Sequence, residues 1–181
     1  IISAPDVESI YEIPINFEKE QLGEKILKAF GWTPKKDAPG MESWEKLVKT
    51  IQTADKKLKI GIVGKYFKTG EYVLKDSYIS VLEAVKHAAW FHGVKPDICW
   101  LNAGAYEENP EKLADLKDYD GVIVPGGFGS RGTEGKIAAI RYLRENNIPF
   151  FGLCYGLHMA TIEFARNVAG ISGATSEEID S

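Results

Sequence analysis

Ile148-Pro149-Phe150-Phe151-Gly152-Leu153 runs directly into Cys154-Tyr155-Gly156, after which Leu157, Ala160, Thr161, Phe164, Ala165 and Val168 recur at helical spacing. The first six residues read as a buried-type strand and the later set as one face of a helix stopped near Gly170. Gly152 and Gly156 bracket the turn between them. This is the G-x-nucleophile-x-G pattern, in which two glycines permit a sharp, strained turn that lifts the middle side chain above a sheet at a helix N-terminus. Strand, tight turn and helix in immediate succession form the unit from which parallel α/β sheets are built.

Working upstream, the same alternation recurs. Lys59 to Gly64 (KIGIVG) reads as a strand, and Tyr78, Val81, Leu82, Val85, Ala88 and Ala89 as a core-facing helix capped by Asp76 or Ser77. Asp97 to Leu101 is a second strand and Glu111 to Leu116 a short helix. Gly121 to Val124 is a third strand, ending in Pro125-Gly126-Gly127-Phe128-Gly129. Lys136 to Glu145 follows as a helix, with Ile137, Ile140 and Leu143 on one side. Four strands alternating with helices predict an α/β fold, a doubly wound and mostly parallel sheet covered on both faces. In such sheets the working groups gather at the carboxyl ends of the strands, near a topological switch point.

Residues 1–57 differ. Ile10 to Ile15 reads as a short extended segment, because Pro14 disfavours helix in the residue before it. Leu22, Ile26, Leu27 and Phe30 recur at helical spacing before Gly31, and Trp32 to Gly40 has the content of a linker. Trp44, Leu47, Val48 and Ile51 mark a second short helix. Two short helices and little sheet cannot enclose a core, so residues 1–57 form an appendage and residues 58–181 the domain.

The 181 residues fit roughly one domain, and 44% hydrophobic with 27% charged residues is an ordinary globular composition. A net charge of −4 leaves no positive excess for a phosphate backbone, so nucleic acid is not an expected partner. The longest apolar runs fall far short of the roughly 20 residues that span a bilayer. No membrane association is expected, and the opening residues lack the character of a signal peptide. A soluble, cytoplasmic protein is the expectation. Cys99 and Cys154 could form one disulfide at most, and neither has zinc-ligand spacing, so no metal is expected.

At Cys154, a helix N-terminus favours negative charge on sulfur, and the N–H of Tyr155 would point to where an oxyanion develops. The alternative, a small buried cysteine in a strand-to-helix turn, is outweighed by the two glycines and their context. For Cys99, inside an apolar strand, the inert reading wins. The loop Pro125 to Gly129 could supply the Gly127 N–H as a second oxyanion donor; alone it could equally be a phosphate-cradling or plain strand-end turn. Gly61-Ile62-Val63-Gly64-Lys65 does not meet P-loop spacing and reads as a strand end. A cysteine nucleophile needs a base, normally histidine from another loop. His87 and His92 read as solvated or capping residues, and His158, four residues beyond Cys154, projects beside the elbow rather than across from it.

Taken together, Val124 to Ile137 (VPGGFGSRGTEGKI), Gly152 to Gly156 (GLCYG), and Ile162 to Val168 (IEFARNV) resemble the CTP synthase family, specifically its class I glutamine amidotransferase part. Val63 to Tyr66, Asp76 to Ala84, and Asp6 to Pro14 add to the likeness. The resemblance implies a flavodoxin-like strand order, incomplete at the C-terminus. It also implies that residues 1–57 are the end of the amidoligase domain with the interdomain linker, and 58–181 a truncated glutamine amidotransferase domain. The implied activity is glutamine hydrolysis at Cys154 through a γ-glutamyl thioester, with ammonia passing to UTP activated by ATP. Gly127 and Tyr155 correspond to backbone oxyanion donors, and Gly127, Phe128, His158 and Glu178 to the glutamine-binding set. Arg131 and Gly132 correspond to a lid linked to GTP activation and ammonia passage.

By the same resemblance no cofactor is expected in this chain; ATP and Mg2+ belong to the amidoligase part, and the parent enzyme is a homotetramer. His158 stands where the family commonly has glutamine, and Tyr155 where it has leucine. The family's base histidine and its glutamate lie further downstream, so the chain is expected to be an internal fragment with negligible glutaminase turnover by itself. Two other classes remain as alternatives: a cysteine hydrolase or peptidase on the same elbow, and a non-catalytic interaction module.

Overall fold

In the computed structural model, residues 2–33, 40–64, 68–69, 72–73, 78–127 and 129–179 are described. The chain divides into two compact units, Ile1–Asp55 and Lys56–Ser181.

In the first unit the stretch expected to be extended is helical. A 3₁₀ turn, Ile10–Glu12, is capped by the Ser9 hydroxyl, which accepts from the Tyr11 N–H at 3.4 Å, and it runs into helix α1, Ile13–Lys19. Pro14 sits in the first turn of α1, where its missing N–H would have had no intrahelical partner and its fixed φ suits the helix. Helix α2, Leu22–Ala29, ends as expected: Gly31 is left-handed (φ 67°), and the Trp32 and Gly31 N–H groups donate to the Leu27 and Lys28 carbonyls. Helix α3, Glu42–Thr53, carries the predicted Trp44 stripe, and the Trp44 indole donates to the Tyr11 carbonyl at 2.7 Å. Among the described residues the unit therefore has three short helices rather than two, and Val48 is the single buried hydrophobic residue. The proline-rich part of the expected linker, 34–39, lies outside the described residues.

The second unit is built on a four-stranded parallel sheet. Its strands are β1 (Lys57–Gly64), β4 (Lys95–Asn102), β5 (Gly121–Val124) and β6 (Phe150–Gly152), in the order β4-β1-β5-β6. Taken in chain order this is the flavodoxin-like 2-1-3-4 arrangement, with the switch point between β1 and β5. A two-residue hairpin that the sequence pattern did not announce, β2 (Lys68–Thr69) with β3 (Tyr72–Val73), follows β1.

Alternation along β1 sends Ile62 to one face and Val63 to the other. Ile62 joins Tyr78 and Leu82, the latter on helix α4 (Ile79–Phe91), with Ile98 and Trp100 of β4 packed against them. The expected α4 caps, Asp76 and Ser77, lie outside the described residues. Val63 joins Val122 and Val124 beneath helices α6 (Thr133–Glu145) and α7 (Tyr155–Asn167).

The helix expected at Glu111–Leu116 is instead a 3₁₀ run, Pro110–Asp118, preceded by a short helix α5, Ala103–Glu108. Two asparagine caps explain both: Asn102 Oδ1 accepts from the Gly104 N–H and Asn109 Oδ1 from the Glu111 N–H. Gly61–Gly64 lies wholly inside β1, paired with β4 and, through Gly61 and Ile62, with β5, as the strand reading required. No described helix is long and apolar enough to cross a membrane.

Candidate active site

Cys154 connects β6 to α7 with φ 51° and ψ −114°, a backbone conformation that costs a non-glycine residue about 1–3 kcal/mol. Its neighbours explain how the chain is forced through it. A Cβ on Gly156 would run into the Val124 carbonyl, and one on Gly152 would lie 2.6 Å from the Gly156 carbonyl oxygen. Neither approach leaves room for any residue but glycine. The turn is closed by the Leu153 N–H donating to the Val124 carbonyl at 2.9 Å and the Gly156 N–H to the Leu153 carbonyl at 2.8 Å. Cys154 is left exposed at the start of α7, and both cysteines are free.

The glycine loop after β5 meets this turn. β5 and β6 are paired through Val124 and Gly152, so the loop and the elbow leave the same edge side by side. A Cβ built on Gly126 would stand 3.8 Å from Cys154 Cβ. Gly127 is the next residue; Phe128 lies outside the described residues.

Beneath the loop is a buried polar cluster that the sequence reading missed. Lys136, with no exposed surface, donates from Nζ to the Pro125 carbonyl at 2.8 Å and to the Gly126 carbonyl at 3.4 Å. Tyr155, equally buried, donates its hydroxyl to the Gly129 carbonyl at 3.0 Å and lies 3.1 Å from Thr133 Oγ1. Lys136 Nζ sits 5.7 Å from the centre of the Tyr155 ring. The signal was present: Lys136 shares the i, i+4, i+7 stripe with Ile140 and Leu143, so α6 places a lysine on its apolar side. Tyr155 thus has two functions available to it, a first-turn N–H beside Cys154 and a hydroxyl that ties down the far end of the loop.

The remaining sequence-predicted residues are distributed around this centre. His158 is half-buried one turn along α7, its N–H donating to the Cys154 carbonyl at 3.2 Å and its ring 6.1 Å from that of Tyr155. Gly132 occupies the N-cap position of α6 at φ 74°, with Arg131 exposed beside it. Glu178 is exposed in the segment after α7, which Arg166 fastens by donating from Nε to the Ala174 carbonyl at 2.7 Å. Arg166 also pairs with Glu134 at 3.0 Å, so one guanidinium links that segment to the first turn of α6. His87 and His92 are exposed on α4 and at its C-cap.

Residues 73–180, which include the glycine loop, α6, the elbow and α7, match the glutamine amidotransferase class-I family. The chain belongs to that family. This amidotransferase chain is 46% identical over 180 residues to the CTP synthase of Thermomicrobium roseum, and 48% identical over 180 residues to those of Thermococcus gammatolerans and Pyrococcus abyssi. Each likeness covers 99% of this chain but only 31%, 32% and 32% of the respective relative. Among solved structures, the glutaminase domain of Trypanosoma brucei CTPS, with bound acivicin, resembles it with a TM-score of 0.60 and 41% identity. That match covers 67% of this chain and 45% of the other. The doubly wound amidotransferase fold expected from the sequence is thereby established.

Proposed function

We propose that these residues are the nucleophile-bearing part of a CTP synthase that takes its nitrogen from glutamine. What supports the reading most is the exposed, strained Cys154 held against Gly126 at the carboxyl edge of the sheet. Cys154 Sγ attacks the side-chain amide carbon of glutamine, and the N–H groups of Gly127 and Tyr155 receive the oxyanion. One such donor is worth about 10²–10³ in kcat. Collapse of the adduct expels the protonated amide nitrogen as ammonia and leaves a γ-glutamyl thioester, which water hydrolyses to glutamate. Phe128, His158 and Glu178 bind glutamine, and Arg131 with Gly132 forms the lid that responds to GTP.

His158 shares a helix with the nucleophile and is not placed to protonate the leaving nitrogen; by the family resemblance that role falls to a histidine of the complete enzyme. The amination of UTP uses ATP and Mg2+ in another part of the same cytoplasmic, tetrameric enzyme. Gly61–Gly64, committed to pairing within β1, does not fit a phosphate-binding loop, so no step involving ATP is placed on this chain.

Labelling of the complete enzyme with a glutamine-like chloroketone tests the assignment. Cys154→Ala should abolish both the label and CTP formation from glutamine while leaving CTP formation from free ammonia intact. Label that persists in Cys154→Ala, or undiminished use of glutamine, refutes it.

A further inference from the structure

The glycine loop breaks from the strand in a particular way. In an extended strand successive carbonyls point in opposite directions, yet the carbonyls of Pro125 and Gly126 both reach the same ammonium, Lys136 Nζ, at 2.8 and 3.4 Å. The Tyr78 hydroxyl adds a second donor to the Gly126 carbonyl at 3.4 Å. Across a trans peptide the N–H points opposite to the preceding carbonyl. Two carbonyls turned down to one cation therefore present the Gly126 and Gly127 N–H groups together on the other side, as an anion-receiving concavity. Cys154 adjoins the same peptide, its Cβ 3.8 Å from the position a Gly126 Cβ would take.

We propose that Lys136 is the positioning residue of the oxyanion site: its buried ammonium holds the Gly126–Gly127 peptide so that the Gly127 N–H is aimed at the elbow. The inference rests on the glutaminase reading above. A lysine ammonium is retained in a core only where its donors find strong acceptors, and here the acceptors are the two carbonyls whose orientation decides where the loop N–H groups point. A leucine-like residue at 136 would fill the same space on α6 without orienting the peptide. The Tyr155 hydroxyl, on the Gly129 carbonyl, anchors the far end of the same loop.

The test separates oxyanion formation from thiol reactivity in the complete enzyme. Glutamate γ-semialdehyde forms a hemithioacetal with Cys154 whose oxygen occupies the oxyanion site, whereas iodoacetamide alkylates the same sulfur without placing charge on oxygen. Lys136→Met should weaken the aldehyde about 10- to 100-fold and lower kcat for glutamine by a similar factor, an oxyanion donor being misdirected rather than deleted. The KM for glutamine and the alkylation rate should each stay within about threefold. Lys136→Arg, which retains the charge in a different shape, should fold and restore part of the aldehyde affinity. Unchanged aldehyde affinity in Lys136→Met overturns the proposal, as does a parallel fall in aldehyde affinity and alkylation in both variants. A wild-type enzyme on which the aldehyde finds no hold at Cys154 overturns the glutaminase reading and this proposal with it.

Discussion

The two faces of the sheet are not equivalent. On the face of Val63, Val122, Val124 and Phe150, α6 alone contributes Ile137, Ala139, Ile140 and Leu143, and α7 adds Tyr155, Met159 and Ile162, all buried. On the opposite face α4 covers β1 and β4 through Leu82, but at the other end of the sheet Phe151 of β6 is 62% exposed. The outer surface of α7 is also open, with Leu157 58% and Phe164 54% exposed. The covered face is the one that carries the glycine loop and the lysine bonded to its carbonyls.

Three substitutions probe this contrast. The largest effect is expected from Gly156→Ala. A methyl group there meets the Val124 carbonyl, a backbone atom fixed by the β5–β6 pairing, so either the elbow or the sheet must move. A loss of about 4 kcal/mol or more is expected in urea unfolding of the chain; tolerance of alanine would mean the elbow is not seated as described. A paired comparison sharpens the point. Leu143→Ala, fully buried under the covered face, should cost about 2–5 kcal/mol. Phe151→Ala on the open face should cost less than about 1 kcal/mol despite removing a larger side chain. Equal losses would show that the two faces are equally packed.

The fold was legible wherever one local pattern determined it. Gly152-Leu153-Cys154-Tyr155-Gly156 foretold the elbow because both glycines are sterically obligatory, and GVIV at 121–124 foretold β5 residue for residue. The failures came from positional chemistry. Pro14 was read as an interruption, although a proline in the first helical turn is compatible with α1. Asn102 and Asn109 were passed over as caps, and with them α5 was missed.

At the site, Cys154 and its flanking glycines were visible as a motif. The support beneath them was not: the expected helix began at Lys136, so Thr133 fell outside it, and a lysine is ordinarily found exposed. Only the position of Lys136 on the apolar stripe betrayed it. Glu163 escaped notice in the same way: on α7 it is 1% exposed, and Arg144 donates to both its oxygens, from Nε at 3.0 Å to one and from Nη2 at 2.7 Å to the other.

The covered face also carries a pH-sensitive element at its β1–β4 end, with the smallest effect of these predictions. Tyr119 packs over Gly61, where a Cβ would meet its ring at 3.2 Å, and Lys59 Nζ stands 4.7 Å from the ring centre. Burial first, then Cys99, Asp118 and Asp115 around it, push its phenol up to about 12 from the ordinary 10. The neutral phenol is thus the form the fold retains. Between those two values the unfolded chain sheds a proton that the folded chain keeps, so stability present below pH 10 is lost as the pH rises toward 12. Tyr106, raised further still chiefly by burial, adds to the same alkaline decline. Tyr119→Phe should make that decline shallower without removing it, as read from urea midpoints against pH alongside tyrosinate absorbance. Wild type and variant falling in parallel across the window would place the Tyr119 hydroxyl in water rather than against β4.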